Sequence, residues 1–99
     1  MQTYVIHRRN AWRSPDELEA TAERSAQVGD QEMSDDIRWI RSYVLAEDDG
    51  TLGTVCIYQA SGPEAIRAHA ARVGMPADTI VEVADTVVVR PDPSGAAAA

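Results

Sequence analysis

The chain lacks most of the features that announce an activity. It carries a single cysteine, Cys56, so no internal disulfide can form and a Cys-rich scaffold is excluded. The reducing cytosol is the expected compartment. No apolar run approaches the roughly 20 residues that a membrane-spanning helix needs. Met1–Arg9 has neither the apolar stretch nor the small-residue cleavage site of a secretory signal. Positive charge is scarce: 16 acidic residues stand against 9 basic ones, a formal net charge of −7. Phosphate backbones and anionic lipid repel such a chain, so neither nucleic acid nor a membrane surface is an expected partner. His-x-x-x-His, Cys-x-x-Cys, a calcium loop, a Gly-rich phosphate cradle and a Gly-x-Ser-x-Gly elbow are all missing. Asp35-Asp36 and Glu47-Asp48-Asp49 read as solvated acidic loops, and Arg8, Arg9 and Arg13 as a small basic patch around one turn.

What remains is 99 residues, 44% hydrophobic and 25% charged, the make-up of one globular domain with a thin core. Thr3–Arg8 is β-branched and aromatic, a first strand. Ser14-Pro15-Asp16-Glu17 carries a capping box with proline at the first helical position. That helix is expected to run to Val28 and stop at Gly29, burying Leu18, Ala22 and Ser25. A face so narrow and small predicts close seating on a sheet. Ile37–Ala46 and Leu52–Ala60 form a hairpin around Glu47-Asp48-Asp49-Gly50. Strict alternation puts Trp39, Arg41, Tyr43 and Leu45 on one face of its first strand. Ser61-Gly62-Pro63-Glu64 repeats the capping-box spacing and starts a helix that ends at Gly74, with Ile66, Ala70 and Val73 as its stripe and His69 beside it. Thr79–Val89 is a fourth strand, and Pro91–Ala99 a disordered tail beyond a domain of residues 1–90.

The order β-α-β-β-α-β is the ferredoxin-like α+β plan: a four-stranded antiparallel sheet with two helices on one face. Its other face is bare. A Trp and a Tyr displayed there exceed what soluble monomers usually expose, so a two-fold homodimer through the open face is expected. Loops folded over that face are the alternative.

One stretch has more to say. Val55-Cys-Ile-Tyr-Gln-Ala-Ser-Gly-Pro-Glu-Ala-Ile-Arg-Ala-His-Ala70, followed by Gly74-Met-Pro-Ala-Asp78 and Val81-Glu-Val83, resembles a small actinobacterial family first catalogued as a domain of unknown function. Tyr4-Val-Ile, Ser14-Pro-x-Glu17-Leu18 and Trp39-Ile-x-Ser-Tyr43 extend the resemblance over Tyr4 to about Pro93. The resemblance implies a dimeric ferredoxin-like fold and nickel binding. Members often end the first strand in an acidic residue before arginine, where this chain has His7-Arg8. That exchange replaces a hard oxygen donor by imidazole.

The candidate metal ligands are His69, Cys56, His7 and Glu82. Neutral imidazole and thiolate suit nickel or another borderline divalent ion. Each also has an ordinary account. His69 can be a core-edge ring bonded to a backbone carbonyl, and Cys56 a small buried hydrophobe. His7 can be solvent-exposed, and Glu82 can face solvent by alternation or meet His7 or Arg8. No base–nucleophile pair is evident, so sequestration or sensing of the metal is expected rather than turnover. The alternative is an enzyme or small-molecule-binding module of the dimeric α/β-barrel kind. There the space between sheet and helices would hold an organic molecule, with His69 as acid or base.

Overall fold

The computed structural model describes residues 1–93. The elements are β1 (Gln2–Trp12), α1 (Pro15–Gln27), a π-helical turn (Val28–Glu32), β2 (Ile37–Ala46), β3 (Leu52–Ala60), α2 (Pro63–Val73) and β4 (Thr79–Glu82). The strands pair antiparallel in the order β2-β3-β1-β4, which is the ferredoxin-like sheet. The core lies between sheet and helices: Tyr4, Ile6, Ile37 and Tyr58 from the strands meet Ile66 and Val73 from α2. Among the described residues no helix is long and apolar enough to cross a membrane.

Both helices start near the expected residues, but by different means. At α1, Ser14 Oγ accepts from the Glu17 backbone N–H at 3.2 Å, while the Glu17 carboxylate accepts from Arg13 N at 3.3 Å. The second capping box does not form. Gly62 is the residue before α2, and the Ser61 hydroxyl instead donates to Asp36 at 2.9 Å, tying α2 to the loop ahead of β2. Gly74 closes α2 in the left-handed conformation, φ 85°, which glycine adopts without steric cost. Gly29 does not stop α1. The chain continues through one wider turn, closed by Met33 N–H bonding to Val28 C=O at 3.0 Å, because this buries Val28 and Met33 in the core.

Two further departures and one close approach shape the sheet. Trp39 pairs with Tyr58 and Arg41 with Ile57, so Ile40 is an extra residue in β2. The bulge reverses the alternation: Trp39 shares the helix-covered face with Tyr58, while Arg41, Tyr43 and Leu45 lie on the open face. β4 ends at Glu82 rather than Val89, since Glu82 already opposes Tyr4 and Val83 N–H reaches Thr3 C=O, where β1 runs out of partners. The apolar Val87–Val89 that follow are 73–86% exposed. Finally, Gly53 packs so near β1 that a Cβ would lie 2.7 Å from the Arg8 carbonyl oxygen and 2.6 Å from Glu47 Oε2. The segment after β4 returns across the open face, where Tyr43 Oη donates to Asp92 at 2.7 Å and Arg41 pairs with the same carboxylate. The tail expected from Pro91 lies, from residue 94 onward, outside the described residues.

Candidate functional site

Pairing across the sheet arranges side chains in rows. On the covered face one row is Ser42, Cys56, Ile6 and Ile80; a second is Trp39, Tyr58, Tyr4 and Glu82; a third is Val44, Thr54 and Arg8. On the open face Tyr43, Val55, His7 and Thr79 form one row, and Arg41, Ile57, Val5 and Val81 another. The polar members of the covered face are unusual for a core layer.

Cys56 is buried and held by two hydroxyls: Ser42 Oγ donates to its sulfur at 3.0 Å, and the thiol donates to Thr54 Oγ1 at 3.3 Å. Tyr58 Oη and Ser25 Oγ share a hydrogen bond of 3.2 Å, and burial pushes the phenol pKa up. His69 is 1% exposed and meets the Tyr58 ring edge-on, centroids 5.6 Å apart. Its Nε2 lies 3.0 Å from the Ser25 carbonyl oxygen, which can only accept, so Nε2 carries the proton and Nδ1 a lone pair. That Nδ1 is buried without a partner. Burial first, and the positive charge of Arg8 after it, hold the His69 pKa below 6.5 against the opposing bond to Ser25, which keeps the ring neutral.

Arg8 is the residue that sequence reasoning missed. It does not join Arg9 and Arg13 in a surface patch: it is 1% exposed, and Nε, Nη1 and Nη2 all lack a hydrogen-bond partner. Its guanidinium stands over the Tyr58 ring, 5.7 Å from the centroid. The alternation Tyr4-x-Ile6-x-Arg8 was the available signal, since it points Arg8 to the same side as two core residues. Nor does α1 seat closely. Its small Ala22 and Ser25 leave a cavity of ≈490 Å³ between helix and sheet, with Arg8, Cys56 and Tyr58 on the opposite wall.

The four metal candidates do not share one place. Cys56 and His69 lie in the covered layer; His7 is half-buried on the open face, opposite Val55 and Thr79; Glu82 is exposed at the outer end of β4. Among the described residues no three His, Cys, Asp or Glu side chains gather as a metal centre. The covered layer is also electrostatically poor for a cation. One His69 nitrogen is committed, Cys56 is occupied by hydroxyls, and Arg8 adds positive charge near His69.

Residues 4–83 match the family described as nickel-responsive proteins like SCO4226. The chain belongs to this family. The crystal structure of SCO4226 from Streptomyces coelicolor A3(2) superposes with a TM-score of 0.68 at 19% identity, covering 86% of this chain and 99% of that one. At that identity the likeness speaks for the fold, and it agrees with the strand order found here. None of the curated proteins matches the chain.

Proposed function

We propose that the protein is a small cytosolic nickel-binding protein that sequesters or senses the ion, working as a two-fold dimer closed through the open sheet face. The match of residues 4–83 to the nickel-responsive family carries this reading. Tyr43, 45% exposed, and Val81, 58% exposed, stand on the open face with Val5, Val55 and Ile57; the segment ending at Asp92 crosses this apolar patch but leaves part of it in solvent, which supports pairing of two copies. His7 is the donor that such a pairing doubles, because its ring shares that face and is separated by the sheet from Arg8. We therefore rank His7 ahead of His69, Cys56 and Glu82 as the nickel-contacting residue.

Titration of Ni²⁺ into tag-free protein tests this. A dissociation constant below about 1 mM is expected, weakened about tenfold by His7→Ala and little by His69→Ala. Affinity falls in acid, because protons compete with the metal for an imidazole ligand. Binding weaker than millimolar, or indifference to His7, overturns the assignment. Sedimentation at micromolar concentration reports the dimer: the mass of a single chain counts against it.

A second reading, a module that holds a small organic molecule between sheet and helices, is favoured by one observation. The cavity of ≈490 Å³ falls within the range of about 300–1,000 Å³ typical of small-molecule sites.

A further inference from the structure

The wall of the cavity under α1 holds a positive charge with no hydrogen-bond acceptor. Arg8 is 1% exposed, its three guanidinium nitrogens have no acceptor, and it lines the cavity. Neighbouring carboxylates are engaged elsewhere. Glu47 accepts from Arg9 and from Asn10 N–H, Asp78 from Arg9 N–H, and Glu17 from Arg13. Glu19, which lines the cavity from α1, is exposed and forms no ion pair with Arg8. A buried guanidinium without a partner is among the costliest arrangements a fold can retain. Its five N–H donors form a planar fork that matches a carboxylate two bonds at a time.

We infer that this cavity binds a small organic anion, a monocarboxylate seated on Arg8 with an apolar body lying along α1. The inference rests on the reading of the cavity as a small-molecule site and adds the class of the ligand. Charge fixes the head group: Arg8 attracts an anion, and the neutral His69 nearby does not compete with it. The remaining wall fixes the body. Trp12, Leu18, Ala22, Val44 and Met75 line the cavity and offer apolar surface that inorganic phosphate would leave uncovered. The Thr54 hydroxyl, opposite Arg8 in the same row, accepts from Cys56 and keeps its own proton to donate to a carboxylate oxygen left over by the guanidinium. Trp39 and Tyr58, stacked with centroids 6.2 Å apart, add aromatic surface to the lining.

The test titrates the full chain, stripped of metal by chelation, with phenylacetate, indoleacetate and octanoate. Each is compared with its neutral amide and with inorganic phosphate. At least one carboxylate is expected to bind saturably below about 5 mM, and about tenfold more tightly than its amide. Arg8→Met should remove that tenfold preference while leaving the amide unchanged. Ala22→Phe, which fills the cavity from α1 without touching Arg8, should abolish binding of both; it keeps the test decisive if Arg8→Met fails to fold. Equal affinity for acid and amide overturns the anion assignment but leaves the cavity a small-molecule site. Failure of all three carboxylates and their amides overturns both. Phosphate binding as tightly as the best carboxylate, and displacing it, overturns the organic body in favour of a bare oxyanion.

Discussion

On the covered face of the sheet Arg8 lies 1% exposed with no acceptor, whereas on the open face Arg41 stands with 51% of its side chain in solvent and an ion pair to Asp92. The two arginines belong to strands that flank β3, and both project from the same sheet. What separates them is which side of the pleat each occupies. On the open side water already solvates the charge, and the pair adds little. There the Asp92 carboxyl is held below its ordinary range by the Tyr43 hydroxyl and then by Arg41. On the covered side the guanidinium is buried, and it meets the face of Tyr58 in place of a hydrogen-bond acceptor. A visible ion pair is therefore no guide to where electrostatic free energy is concentrated. The charge without a partner matters more to stability than the charge with one.

The contrast can be broken by mutation. The largest effect belongs to the core that creates the covered side. Ile66 is 0% exposed, and Ile66→Ala should cost about 2–5 kcal/mol, read as a lower urea midpoint. Next, Arg8→Met should raise the stability of the ligand-free protein by about 1–4 kcal/mol, because it removes a desolvated charge and keeps an apolar stem. A loss of stability would mean that Arg8 has an acceptor, and the contrast between the faces would collapse. A smaller effect comes from His69. Its folded pKa lies below the unfolded value of about 6.5, so the unfolded state takes up a proton first as pH falls. Stability should be full above that pH, decline as pH drops from it toward the lower folded value, and then level off. His69→Gln should flatten this slope in urea melts at pH 7.5 and 5.0. Smallest is Asp92→Asn, which should leave the urea midpoint within error, since the pair that it breaks is solvated.

Much of the fold was legible because its signals are local. The capped start at Ser14, the left-handed stop at Gly74 and the β-branched runs of β1 and β3 each depend on a few neighbouring residues. Departures arose where a partner strand or a packing contact took over. Ile40 slips out of register in β2, Gly29 is carried through a turn that buries Met33, and β4 stops where β1 ends. The candidate site was less readable. His69 and Cys56 were singled out for their chemistry, and both lie in the buried layer, yet their partners are a carbonyl and two hydroxyls. Arg8 looked like its exposed neighbours because basic residues next to each other in sequence are usually solvated. Only alternation argued otherwise.

From sequence alone came the element order, the caps that start α1 and end α2, the acidic surface and the resemblance to a nickel-responsive family, because propensity, charge and motif are properties of residues and their near neighbours. Tertiary structure decided which side of the sheet each side chain occupies, that small residues on α1 leave a cavity, and that Arg8 is buried in its wall. Those outcomes depend on register and on distances between segments far apart in the chain, and a one-residue bulge is enough to reverse them.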